Sequence, residues 1–166
     1  MNLKKISEKV IRPENPSYFM IREFSFEKNA SNVLADFIKT PFFCWKEEYR
    51  NEVHANIDSE ETIVDWNFHG LYDIKKIKTE HFEKVSGSDF IKRFKEYIKK
   101  EIGFDSKLPI IESELTDLND LTSDYYIIKD LPSDFHHEWT VFAFFISGFK
   151  IDENNGKLTA IEFGLD

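Results

Sequence analysis

The sequence predicts an α+β fold: a mainly antiparallel sheet with a C-terminal hairpin as its central element and helices packed on it. Three observations predict it. Residues 140–151 and 157–163 are rich in β-branched and aromatic side chains and flank a turn at 152–156. In the first run Val141, Ala143, Phe145, Phe149 and Ile151 share one parity and Phe142, Phe144 and Ile146 the other. Both faces are therefore apolar, and such a strand must be covered on each side. Residues 88–102 place Phe90, Ile91, Phe94, Ile98 and Ile102 on one helical stripe, with Lys92, Arg93, Lys95, Lys99 and Lys100 outside it.

Each element follows in order from local chemistry. Residues 1–16 read as a short N-terminal arm, because Pro13 and Pro16 push the residues before them to extended conformations. Residues 17–26 read as a strand, with Tyr18, Met20, Phe24 and Phe26 on one face and Phe19 and Ile21 on the other. A helix is expected to start at 29–32, to carry Val33, Leu34, Phe37 and Ile38, and to end at Thr40-Pro41. Residues 42–45 form an apolar knot holding Cys44, and 46–54 fit a helical turn or a strand equally well. Residues 58–61 resemble a capped helix start, with Ile63, Val64, Trp66, Phe68 and Leu71 following, although Gly70 interrupts. Ser88 is the expected cap of the clearest helix and Gly103 its terminator. Leu108-Pro-Ile-Ile111 leads into a polar, acidic run, 124–129 is a strand, and 131–134 a turn. Asn155-Gly156 is expected to supply the positive φ angles of the last hairpin.

Composition bounds the function. A chain of 166 residues is expected to form a single domain over 1–166, and 16% aromatic content excludes disorder despite 32% charged residues. The net charge of −9 and pI ≈ 5.1 oppose binding to nucleic-acid phosphates or anionic lipid and favour a basic partner. One cysteine forms no internal disulfide and fits a reducing compartment. The N-terminal residues lack the apolar core of a signal peptide, and no run is long and apolar enough to span a membrane. A cytoplasmic location and no membrane partner are the expectation. The excess of Lys over Arg points to an AT-rich, bacterial genome.

The charge is unevenly spread. Residues 110–139 hold eight acids and one base, −7 of the total −9, whereas 75–107 hold ten bases and six acids. This predicts a dipolar molecule whose acids are either a solubilising loop or a docking surface for a basic partner. Glu112, Glu114, Asp117, Asp120, Asp124, Asp130 and Asp134 are the candidate contacts. The adjacent Tyr125 and Tyr126 are added because tyrosine is enriched at interface hot spots. Asp117, Asp120 and Asp124 lack the glycine and closing glutamate of a calcium loop. His136 and His137, as neighbours in a strand, point to opposite faces, so no metal and no cofactor site is expected. His69, in Trp66-Asn-Phe-His-Gly70, is the most site-like histidine, and its bland counterpart is a core residue with its ring hydrogen bonds satisfied. No phosphate-binding glycine loop or nucleophile elbow occurs.

In size, acidity, aromatic-rich core and missing catalytic motifs, the chain resembles the immunity proteins of bacterial toxin systems, including those of contact-dependent growth inhibition. That resemblance implies a non-enzymatic protein, monomeric or weakly dimeric when free, whose partner is a cognate toxin domain, often a basic nuclease. The acidic residues would then contact lysines and arginines of the toxin. The alternatives are a small enzyme built on His69 or on His136 and His137, and a structural or adaptor module that self-associates by its sheet edge.

Overall fold

The computed structural model describes residues 2–14, 16–28, 30–43, 68–137 and 144–165. Its centre is the pair β7 (Phe144–Asp152) and β8 (Lys157–Leu165), joined by a four-residue turn. Around it lie β1 (Lys4–Ile11), β2 (Ser17–Ser25), β5 (Phe82–Val85) and β6 (Asp124–Ile128) in the order β1-β2-β8-β7-β6-β5, all antiparallel. A small hairpin, β3 (Phe68–His69) with β4 (Tyr72–Asp73), stands apart. The α-helices among the described residues are α1 (Val33–Phe37), α2 (Gly87–Ile102) and α3 (Leu108–Asp117).

The parity expected of the central strand is what divides the core. Phe145, Phe149 and Ile151 join Tyr18, Met20, Phe24 and Leu158 beneath α1 and the β3–β4 hairpin. Ile146 joins Phe19, Ile21, Ile161 and Phe163 beneath α2 and α3, which contribute Phe90, Phe94, Ile98, Ile111 and Leu115. Residues 140–143 of the expected strand lie outside the described residues, as do Cys44, His54 and the proposed helix start at 58–61. Gly148 faces α2, where a Cβ would meet the Phe90 ring at 2.5 Å; its missing side chain lets that helix sit close to the sheet.

Several local expectations change. Residues 4–11 of the expected arm form an edge strand, whose lysines and glutamate suit an exposed edge. Phe68–Leu71 is not helical: it belongs to the β3–β4 hairpin, turned by Gly70 at φ 56. A Cβ there would lie 2.2 Å from the Phe145 ring. The cap of α2 is Ser86 rather than Ser88, its Oγ accepting from Asp89 N at 3.2 Å. The acidic run begins as a helix, α3, with Pro109 in the first turn, where a missing N–H costs nothing. In the last turn only Gly156 has positive φ, 62°; Asn155 instead donates from its backbone and side-chain amides to the Asp152 carboxylate. No helix among the described residues is long and apolar enough to cross a membrane.

Phe149 is fully buried, with its ring 5.2 Å from Phe37 and 5.4 Å from Phe82. Phe149→Ala is expected to cost about 3–5 kcal/mol in urea unfolding, because it leaves a cavity the surrounding rings only partly fill.

Candidate functional site

The nine residues expected to form the docking surface do not share one surface. Tyr125 and Tyr126 are successive residues of β6 and point to opposite faces. Tyr125 is buried against Phe90, and its hydroxyl donates to the Leu118 carbonyl at 2.8 Å while accepting from Asp120 N at 2.9 Å. Tyr126 is half-buried against the other core, with the Lys84 ammonium 5.9 Å from its ring centre. Tyr125 therefore packs in the core, whereas Tyr126 keeps part of its surface exposed on the other face.

The acids divide three ways. Glu114 pairs with Lys9 of β1, and Asp124 with Lys84 of β5. Asp120 pairs with Lys150 of β7 and accepts from Thr122 N at 2.9 Å, Ser123 N at 2.7 Å and Ser123 Oγ at 2.9 Å. Partial burial of Asp120 opposes its ionisation, but the Lys150 ammonium and these donors hold its carboxyl well below the usual carboxylate range. Asp120 is thus a structural clamp between the α3–β6 loop and β7, not a free surface charge. Asp130 and Asp134 are exposed but lie past the far end of β6, whose strand runs roughly 13 Å from Asp124 to Ile128. Glu112 and Asp117 remain on α3 with no ion pair to another described residue.

Helix α3 buries Ile111 and Leu115 against the sheet, so Ile110, Ser113 and Asp117 point outward. At its two ends stand large apolar side chains that the acidic run did not bring to notice. Phe104, in the loop between α2 and α3, and Leu121, in the loop after α3, are fully exposed, and Ile110 is nearly half exposed. These three exposed apolar side chains precede, lie within and follow α3 in the chain. The expected dipole is also modified. Helix α2, which carries five of the ten bases of the basic segment, packs beside α3, with Lys95 Nζ donating to Thr116 Oγ1 at 2.8 Å.

The second polar constellation is buried. His69 has no exposed surface; its Nδ1 lies 2.8 Å from the Phe43 carbonyl and its Nε2 2.8 Å from Ser147 Oγ. Burial, with Arg22 nearby and against the pull of the Phe43 carbonyl, lowers its pKa to about 3, so the ring is neutral. A carbonyl only accepts, so Nδ1 carries the proton and the Ser147 hydroxyl donates to Nε2. Across the strand from Ser147, Glu162 forms a fully buried ion pair with Arg22, whose Nη1 also donates to the Phe42 carbonyl at 2.9 Å. The Ser147–His69 pair has the orientation of a base and its hydroxyl, but it is closed to solvent and packed between the rings of Phe43 and Phe145. It is a satisfied core network. His137 is likewise buried, its backbone N–H donating to the Leu71 carbonyl at 2.9 Å, and His136 lies against Tyr72. Among the described residues no group of three or more His, Cys, Asp or Glu is placed to hold a metal ion.

No family model matches the sequence, and no curated protein matches it. Among solved structures, the crystal structure of citrus MAF1 is similar at 9% identity with a TM-score of 0.42, covering 91% of this chain and 90% of that one. Nothing is transferred from a likeness of that degree.

Two pH effects follow from the buried and clamped groups. The folded-state pKa of Asp120 is depressed, so its contribution is complete above its ordinary value of 3.8 and is lost as pH falls below it. Asp120→Asn is therefore expected to be less stable than the wild type at neutral pH, the two unfolding curves converging as the solution is acidified. His69 is depressed from 6.5 to about 3, so its contribution is present above pH 6.5 and declines toward pH 3, with a slope of at most about 1.4 kcal/mol per pH unit. Its ring resonances are expected to show no titration between about pH 5 and 8 by NMR, where an ordinary histidine titrates.

Proposed function

We propose that this chain is a protein-binding inhibitor of the immunity type, which neutralises a cognate toxin domain with the outer face of α3. The observation that carries the reading is the placement of Phe104 and Leu121, both fully exposed, at the two ends of a helix whose outer side carries Ile110 and Asp117, with Glu112 on its flank. An exposed aromatic and an exposed leucine are the anchors a partner's pockets take up, and carboxylates without ion pairs to described residues steer a basic surface toward them. The sequestration of His69 and His137 gives the histidine-centred enzyme reading less support.

The test is a titration against the C-terminal domain of the protein encoded directly upstream, at low and moderate salt. Nanomolar affinity is expected, weakening as salt rises. Leu121→Asp with Phe104→Ala is expected to weaken binding by roughly a hundredfold, and Glu112→Lys with Asp117→Lys by roughly tenfold. Neither pair should lower the unfolding temperature appreciably, because all four side chains lie on the outside of the fold. Tight binding that none of the four substitutions alters would remove α3 as the contact, and no binding would remove the inhibitor reading.

A further inference from the structure

On the face of the sheet opposite α3, an open groove of about 600 Å³ runs between the C-terminal end of α1 and the turn that follows β4. Its floor is apolar, made by Ile38, Ile74 and Ile77, which are continuous with the core beneath. Its walls are basic. Lys39 stands on the α1 side, and Lys75 and Lys78 on the opposite side. No carboxylate among the described residues lines it, although the chain carries a net charge of −9. Lys39 and Lys78 are exposed and make no ion pair with another described residue. Their neighbour Lys76 is engaged differently, donating to the Asp134 carbonyl at 2.7 Å and lying 3.8 Å from the Asp73 carboxylate.

From this arrangement we infer that the groove is a second binding site, which takes an acidic peptide segment of a partner protein with an apolar side chain between flanking carboxylates. An apolar floor of this volume accepts one or two large side chains. The positive charge stands on both walls, so the matching ligand carries negative charge on both flanks of its apolar body. A peptide alternating acidic and apolar residues does this; a single-headed amphiphile satisfies one wall only. The partner is thus opposite in charge to the one α3 would engage, and the two sites are separated by the thickness of the sheet.

The probe is an N-acetylated, C-amidated peptide of sequence EDLFDE, titrated into the full chain by NMR and calorimetry, with KKLFKK and dodecanoate as comparisons. Binding of EDLFDE tighter than about 1 mM is expected, with chemical-shift changes centred on Ile38, Ile74 and Lys78. Lys39→Glu with Lys78→Glu is expected to weaken it by roughly tenfold or more, and Lys39→Arg with Lys78→Arg to preserve it. Both pairs are exposed, and an unchanged unfolding temperature checks that the fold is intact. The inference is overturned if EDLFDE fails to bind, if KKLFKK binds as well, or if charge reversal leaves affinity unchanged. Dodecanoate binding in place of the peptide would also overturn it, making the groove a lipid-type site.

Discussion

A strand that is apolar on both faces has to be covered twice, and the rest of this structure is arranged by that constraint. Phe145 and Phe149 face one way and Ile146 the other, and β8 repeats the division with Leu158 and Ala160 against Ile161 and Phe163. Neither strand is able to lie at an edge, so β2 and β6 flank them and the charged β1 and the short β5 take the outside positions. The two layers that result differ in kind. One is made of α2 and α3 lying on the sheet; the other combines the short α1 with a two-stranded hairpin and a cluster of aromatic rings.

The aromatic layer also holds the polar groups that the sheet buries. Arg22 and Glu162 take core-facing positions of β2 and β8 among phenylalanines. A buried pair of this kind adds little net stability, because desolvation offsets the attraction, but loss of either member leaves a costly uncompensated charge. Beside this pair Ser147 bonds His69, which is tied to the Phe43 carbonyl, while the Arg22 guanidinium reaches the Phe42 carbonyl. Those bonds fix the chain just after α1 against the β3–β4 hairpin. The polar network thus acts as a registration device for the layer whose covering pieces are short.

Much of this was legible in the sequence and some was not, for identifiable reasons. The alternation in β2 and β7 and the stripe of α2 show through because burial on a fixed period leaves a pattern in the chain. The edge strand β1 has no such pattern: Lys4, Lys5, Glu8 and Lys9 are what an exposed edge needs and also what a solvated arm looks like. Helix α3 was hidden by Pro109, which reads as a breaker although it sits in the first turn; the i, i+4 pair of Ile111 and Leu115 was its available signal. The acidic run misled because a local count of charge ignores distant partners. Lys9, Lys84 and Lys150 come from three separate strands and engage three of the seven carboxylates. The buried network did leave a trace. A lone Arg22 at a core-parity position of an apolar strand demands an opposite charge, and Glu162 stands at the matching parity of β8.

Fewer free acids change what kind of recognition α3 supports. With Glu114, Asp120 and Asp124 engaged internally, the electrostatic share of any contact there falls on Glu112 and Asp117, and the greater part of the energy passes to Phe104, Ile110 and Leu121. Charge then governs encounter and orientation, and apolar burial governs residence. The basic groove inverts those proportions: its isoleucines already belong to the core wall, so less new apolar area is available there, and Lys39 and Lys78 on its two sides define the preference. On the proposed reading, a basic partner suited to Glu112 and Asp117 is disfavoured beside Lys39 and Lys78, and an acidic segment suited to the groove is disfavoured beside α3, so charge rather than shape would separate the two ligands.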